Sequence, residues 1–175
     1  MGESRSRKLL GIYLNDHLAA AAGGVGLARR VAQGHRGSAN AEQIERLADD
    51  IAADRGALLA ILKSLGLPAR RYKSLAVWTA EKAGRLKLNG GLLRRSPLSD
   101  VVELEALTLA VEGKSAGWRT LLAIADREPG LDPERLRTLQ ARAKAQLTLL
   151  EQLRTAAVKD AFGEERAAES GGLER

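Results

Sequence analysis

Four stretches of this sequence repeat apolar residues at intervals of three and four, and this periodicity limits more than any other feature what the chain can fold into. The second stretch shows it most completely, from Ile44 to Leu65, with Asp54 as the one charged residue in the series. Residues at this spacing share one face of an α-helix. The pattern therefore predicts four amphipathic helices that bury the following core stripes: Leu10, Tyr13 or Leu14, His17, Ala21, Gly24, Ala28 and Val31; Ile44, Leu47, Ile51, Asp54, Leu58, Ile61 and Leu65; Leu104, Leu107, Val111, Trp118, Leu121 and Ala125; Leu136, Leu139, Ala143, Leu147, Leu150, Leu153 and Ala157.

Capping and helix-breaking residues predict where these helices begin and end. Small polar side chains accept hydrogen bonds from the first free amides of a helix, and glycine and proline end helices. The predicted helices run from about Arg5 to Ala32, from a cap at Ser38 or Asn40 to Gly66, from a cap at Ser96 or Ser99 to about Arg127, and from a cap at Asp132, with Pro133 in the first turn, to the residues before Gly163.

The connections between these helices predict the chain topology. The first and third connections are short, which favours antiparallel neighbours, whereas the second spans about residues 67–97 and contains an amphipathic pattern of its own. Aromatic residues make up 3% of the chain, and few residues favour strands. We predict a single all-α domain over residues 1–162, an antiparallel four-helix bundle with a long helical crossover, followed by a polar, disordered tail at 163–175.

Composition excludes several classes of site. The chain has no cysteine and two histidines, His17 and His35, so disulfides and thiolate metal sites are excluded. It has no apolar run long enough to span a membrane, and its first residues lack the apolar core of a secretory signal. We therefore expect a cytoplasmic protein.

Gly23, Gly24 and Gly26 interrupt the first helical pattern. No strand precedes them and the third glycine of a dinucleotide fingerprint is missing, which argues against a phosphate loop. The third helical pattern carries a matching strip of small residues, Ala106, Ala110, Gly113 and Gly117. We predict that these two helices pack closely there, with a local bulge or hinge in the first helix as the alternative.

The segment Tyr13-Leu14-Asn15-Asp16 and the second-helix ending LLAILKSLG resemble bacterial ferritin-like bundle proteins related to rubrerythrins. The likeness covers about residues 9–158, mainly as helix order and length. It implies the ferritin-like arrangement, in which two helices each supply a glutamate and two supply Glu-x-x-His to a di-iron centre. This sequence contains no Glu-x-x-His. We therefore expect no cofactor, although the fold is retained.

A divergent site for iron or another divalent metal is the alternative, with His17, Asp54, Glu105 and Glu112 as candidate ligands. His17 and Asp54 fall on the apolar stripes of two helices predicted to be antiparallel neighbours. A hydrogen-bonded polar pair explains the same pattern without a metal. Glu105 and Glu112 also fit a solvated helix face.

The segment 67–97 is strongly basic. It holds eight of the 28 basic residues and one of the 22 acidic residues, so the remainder of the chain carries 20 basic and 21 acidic residues. We predict a non-enzymatic binding or scaffolding module that uses this surface toward an acidic protein or nucleic acid, with an anionic membrane as a weaker alternative. Alternatively, the charges serve only to keep the crossover soluble. The binding hypothesis also includes a homodimer formed through one face of the bundle. The candidate binding residues are Arg70, Arg71, Lys73, Trp78, Arg85, Lys87, Arg94 and Arg95.

Overall fold

The computed structural model describes residues 2–70 and 96–163. Within these ranges the chain is all-helical and forms four long α-helices, as the periodicity predicts, and no strand. In chain order the helices are α1 (Gly2–Gly34), α2 (Ala41–Ser64), α3 (Pro97–Ile124) and α4 (Pro133–Phe162), with a 3-10 turn at Ala125–Arg127. The amphipathic pattern predicted within 67–97 and the polar tail lie almost entirely outside the described residues.

The helix ends follow local chemistry. The Asp132 side chain accepts hydrogen bonds from the backbone amides of Glu134 and Arg135 at 2.9 and 3.3 Å, which confirms the predicted cap of α4. Asn40 and Ser96 occupy the N-cap positions of α2 and α3, but neither side chain makes a capping hydrogen bond. Several predicted ends lie within a few residues of those in the structure, because capping residues and helix breakers act locally.

The predicted apolar stripes form the core. All seven predicted positions of the second stripe, from Ile44 to Leu65, are buried, and so are all six from Leu104 to Ala125 on the third stripe. On α4, Leu147 is partly buried and the other predicted positions are buried. On α1 the middle of the stripe is half-buried, and Leu18, which the prediction omitted, is buried instead.

Polar contacts show how α1 and α2 are arranged. The guanidinium of Arg7, near the start of α1, donates to the carbonyl of Leu65, just after the end of α2, at 2.5 Å. Asn15 of α1, only 1% exposed, donates to the Pro68 carbonyl at 3.1 Å and accepts from the Arg70 amide at 2.6 Å. The two helices are therefore antiparallel, and Asn15 anchors the chain where it leaves α2.

Helices α1 and α3 are also antiparallel. Arg30 lies 3.8 Å from Glu103, and His35 lies 3.9 Å from Asp100, so the end of α1 meets the start of α3. Farther along α3, the His17 ring from the middle of α1 lies against Gly117. Among the described residues, none of the helices combines the length and apolar character that a membrane span needs.

Candidate functional site

A buried carboxylate joins three helices at the centre of the bundle. Asp54 of α2 is 1% exposed. One of its oxygens accepts from the Arg142 guanidinium of α4, through Nε at 2.7 Å and through a terminal nitrogen. The other accepts from Lys114 Nζ of α3 at 2.5 Å and from Gln146 Nε2 of α4 at 3.0 Å. Gln146 also accepts from Lys114 at 2.5 Å, which closes the network.

The periodicity of the sequence places Asp54 on a core stripe, and the structure confirms that position. Its partners Lys114, Arg142 and Gln146 were not predicted from the sequence. A signal for two of them was present: Lys114 lies three residues after Val111 and four before Trp118, and Gln146 lies three residues after Ala143 and four before Leu150. Each therefore belongs to the buried face of its helix.

Burial and charge act in opposite directions on Lys114. Its pKa lies below the ordinary value, because burial disfavours the ammonium ion, and the Asp54 carboxylate offsets part of that shift. The neighbouring Arg142 guanidinium lowers the pKa further, and Asp50 raises it. Two cations thus share one buried carboxylate, so the network retains a positive excess.

A cavity of about 190 Å³ lies beside this network, between α1, α2 and α3. Its walls are mainly apolar, and small residues of α1 and α3 form a large part of them. Leu109, Ala110 and Gly113 are exposed, so the cavity opens to solvent on this side. The lining residues are Leu14, His17, Ala20, Ala21, Gly24, Ile51, Asp54, Arg55, Leu58, Leu107, Leu109, Ala110, Val111, Gly113, Lys114, Gly117, Trp118 and Leu121.

The two strips of small residues face each other at Gly24 and Ala110, but they do not form a tight interface throughout. Gly24 of the first strip and Ala110, Gly113 and Gly117 of the second line this cavity. A methyl group added to Gly24 would lie 3.7 Å from the Cβ of Ala110, an ordinary contact. At Gly26 and Gly113 it would meet no atom within 4 Å. Close approach is found at Gly117, where an added methyl would lie 3.1 Å from the His17 ring. Small residues permit close packing without enforcing it, because larger side chains set the helix separation.

His17 contributes a titratable ring to the cavity wall. The ring packs edge-on against Tyr13, with centroids 4.5 Å apart, and against Gly117. Burial lowers the pKa of His17 below its ordinary value of 6.5, and the Asp16 carboxylate opposes this shift. The folded protein therefore favours the neutral ring.

This shift predicts a dependence of stability on pH. Just below pH 6.5 the unfolded chain protonates His17 more readily than the folded protein does. The stabilisation that this difference provides is fully present above pH 6.5 and is lost as the pH falls through the lower, folded-state pKa. Between about pH 7.5 and about pH 5.5, the melting temperature of His17→Gln is expected to fall less than that of the wild type. Equal slopes in parallel calorimetric melts would contradict this.

The candidate metal ligands do not converge. His17 and Asp54 line the same cavity, but the four described hydrogen bonds to the Asp54 carboxylate come from Lys114, Arg142 and Gln146. Glu105 and Glu112 are exposed on α3. Nowhere in the described parts of the chain do three or more His, Asp or Glu side chains gather closely enough to hold a metal ion.

Of the candidate binding residues in the basic segment, the structure describes Arg70. Its side chain is exposed, and its amide is held by Asn15. The remaining candidates, Arg71, Lys73, Trp78, Arg85, Lys87, Arg94 and Arg95, lie outside the described residues.

Comparison of the chain with family models, with curated proteins and with solved structures finds no match. The resemblance to ferritin-like bundles stays a prediction from the sequence. What the protein does is inferred from the chemistry of its own site, because one helical architecture serves many functions.

Proposed function

We propose that this chain is a non-enzymatic binding protein whose helix bundle holds a small, mainly apolar molecule in the cavity between α1, α2 and α3. The observation that carries the proposal is the cavity itself, about 190 Å³ with apolar walls and an open side. An engineered apolar cavity of about 150 Å³ in another protein binds benzene. A molecule of one ring and a few further atoms suits this volume.

The residues around the cavity support this interpretation. An interior glycine destabilises a helix by about 1 kcal/mol relative to alanine. At Gly24 alanine would fit with an ordinary contact, and at Gly113 the space around an added methyl is open. Close packing therefore does not demand glycine at these two positions. Its effect there is to keep the cavity open.

We also propose the ferritin-like topology. Helix α1 runs antiparallel to both α2 and α3, so α2 and α3 run in the same direction. Two helical hairpins with this relation require a long connection between them, as in ferritin-like bundles. In such folds the space between facing helices commonly holds the ligand or cofactor. Here that space holds the Asp54 network and, beside it, the mainly apolar cavity.

Toluene titration tests the binding proposal. The chain contains two tryptophans, so Trp78→Phe leaves Trp118, which lines the cavity, as the sole fluorescent indole. Toluene is expected to change Trp118 emission saturably and to raise the melting temperature, since a ligand that binds only the folded state stabilises it by about 1.4 kcal/mol at ten times its Kd.

A matched pair of variants locates the binding. Gly24→Leu places a side chain into the cavity that Gly24 lines, whereas Gly26→Leu places the same side chain at an exposed position two residues away. Toluene binding is expected to be lost in the first variant and kept in the second. Equal affinities in the two folded variants, or no saturable response in the parent, would overturn the proposal.

The basic segment 67–97 supports a second candidate function, the binding of a polyanion. Its charge is concentrated, with eight basic residues and one acid. The segment starts beside Asn15, a buried side chain that holds the amide of exposed Arg70. Phosphate-rich partners are attracted to such a concentration of charge without sequence preference.

A further inference from the structure

The outward face of α1, formed by Ala19, Gly23 and Leu27, lacks the polar side chains that a surface helix normally carries. Each of these residues lies nine positions, or about 2.5 turns, from one of three buried residues and therefore points away from the core: Leu14, Leu18 and Ala28. All three outward residues are half-buried, and no lysine, arginine, aspartate or glutamate occurs at positions 17–28. A helix that is apolar on all sides is normally covered on all sides. This face therefore suits a partner that is itself apolar.

Segment 71–95 lies outside the described residues, but the structure describes the chain at both of its ends. At the start, the amide of Arg70 donates to Asn15 of α1 at 2.6 Å. At the other end, Asp100, in the first turn of α3, lies 3.9 Å from His35, just after the end of α1. Asn15 and His35 are 20 residues apart, which corresponds to about 30 Å along an α-helix. The segment therefore has to connect two points that are separated by most of the length of α1.

The sequence of the segment has a suitable length and pattern for this path. Its 25 residues measure about 37 Å as an α-helix. Residues at helical spacing share one face of a helix. Such a stripe of mainly apolar residues runs through the segment: Tyr72, Leu75, Ala76, Thr79, Ala83 and Leu86. Along most of the path, one side of the segment can therefore be buried.

Helix α2, which the segment leaves, offers a different kind of surface. Its outward face exposes the charged side chains of Glu45, Arg46 and Asp49. Association of apolar side chains is favourable because it removes apolar surface from water. The apolar stripe of the segment therefore matches the outward face of α1 better than that of α2.

We propose that the outward face of α1 is the docking surface for the apolar stripe of segment 71–95 in the same chain. The segment starts at the level of Asn15 and follows α1 toward His35, which brings Thr79 beside Gly23 if both rise by about 1.5 Å per residue. Small residues on α1 let the two backbones approach closely. The proposal is independent of both proposed functions, because it concerns neither the cavity nor the charges of the segment.

Engineered disulfides test the docking directly, because the chain has no cysteine of its own. A disulfide needs Cα atoms about 4.4–6.8 Å apart. Under mild oxidation, the pair Gly23→Cys and Thr79→Cys is expected to form an intrachain disulfide about tenfold faster or more than a control pair. The control combines Thr79→Cys with Ala53→Cys, at an exposed position on α2. Non-reducing electrophoresis measures the rates, and peptide mass spectrometry assigns the bond.

A pair of glycine substitutions gives a second test, in which opposite signs are expected. Glutamine favours a helix more than glycine does, and at Gly26 an added methyl meets no atom within 4 Å. Gly26→Gln is therefore expected to raise the melting temperature by about 2–4 °C. Gly23→Gln is expected to lower it, because the docked segment leaves no room for the longer side chain. Calorimetric melts of both variants and the wild type measure the shifts.

The proposal is overturned if both cysteine pairs oxidise at the same rate, or if Gly23→Gln raises the melting temperature as much as Gly26→Gln does. A disulfide that joins two chains also overturns it, since a second copy then covers α1. If the variant with Gly23→Cys does not fold, Ala19→Cys with Leu75→Cys, about one turn earlier on both sides, provides the same measurement. Neither test involves toluene or DNA, so failure here leaves the proposed functions standing.

Discussion

Replacing Asp54 by alanine is expected to lower the free energy of unfolding by about 3–5 kcal/mol, because removal of one partner leaves the others as uncompensated buried charges. Asp54 is 1% exposed and accepts hydrogen bonds from both Lys114 and Arg142. In the variant, Lys114 would keep Gln146 as a neutral acceptor, and Arg142 would lose its carboxylate partner. Urea denaturation, followed by circular dichroism, measures the change.

Asp49→Ala is the matched control, since it removes the same type of charge from an exposed position on the same helix. We expect it to stay within about 0.5 kcal/mol of the wild type. A triple variant, Asp54→Leu with Lys114→Met and Arg142→Met, is expected to regain most of the lost stability, because well-packed apolar residues often replace a buried ion network without loss. A loss below 1 kcal/mol in Asp54→Ala would show that the network does not stabilise the bundle.

The second large effect is expected in the binding of duplex DNA by the basic segment. Each neutralised phosphate contributes about −0.9 to the slope of log affinity against log salt concentration. If the seven basic residues Arg70, Arg71, Lys73, Arg85, Lys87, Arg94 and Arg95 form one surface, affinity is expected to fall by about 10³-fold or more between 50 and 200 mM salt. Sequence preference should be weak, because phosphate contacts carry no base information. Fluorescence anisotropy with a labelled duplex measures both.

The decisive variant replaces Arg70, Arg71, Arg94 and Arg95 by glutamine. Its affinity and salt slope should both decrease, with little change in melting temperature, because exposed charges contribute little to folding. A control with the same loss of charge replaces four arginines at exposed positions elsewhere, Arg29, Arg36, Arg127 and Arg135. The proposal fails if the wild type does not bind at about 50 mM salt or if both variants lose affinity equally. It also fails if the four substitutions in the segment unfold the protein.

The sequence by itself determined the four helices, most of their buried faces and the cap at Asp132. These features follow from interactions between residues a few positions apart: the 3.6-residue period places Ile44 and Leu58 on one side of α2, and a short acidic side chain reaches the next free amides. The burial of Asp54 belongs to the same class of prediction. Its burial can be predicted from its position within an apolar series, without knowing which residues of the other helices contact it.

Only the tertiary structure decided what Asp54 contacts and where the space beside it lies. Lys114 and Arg142 are 60 and 88 residues away in sequence. They reach the carboxylate only because α3 and α4 stand at a particular rotation and height beside α2. The glycines of α1 and α3 illustrate the same limit: their spacing allows either contact or a cavity. Whether they touch or leave a cavity depends on the distance between the two helices. The packing of larger side chains throughout the core sets this distance, and no local period of the sequence encodes it.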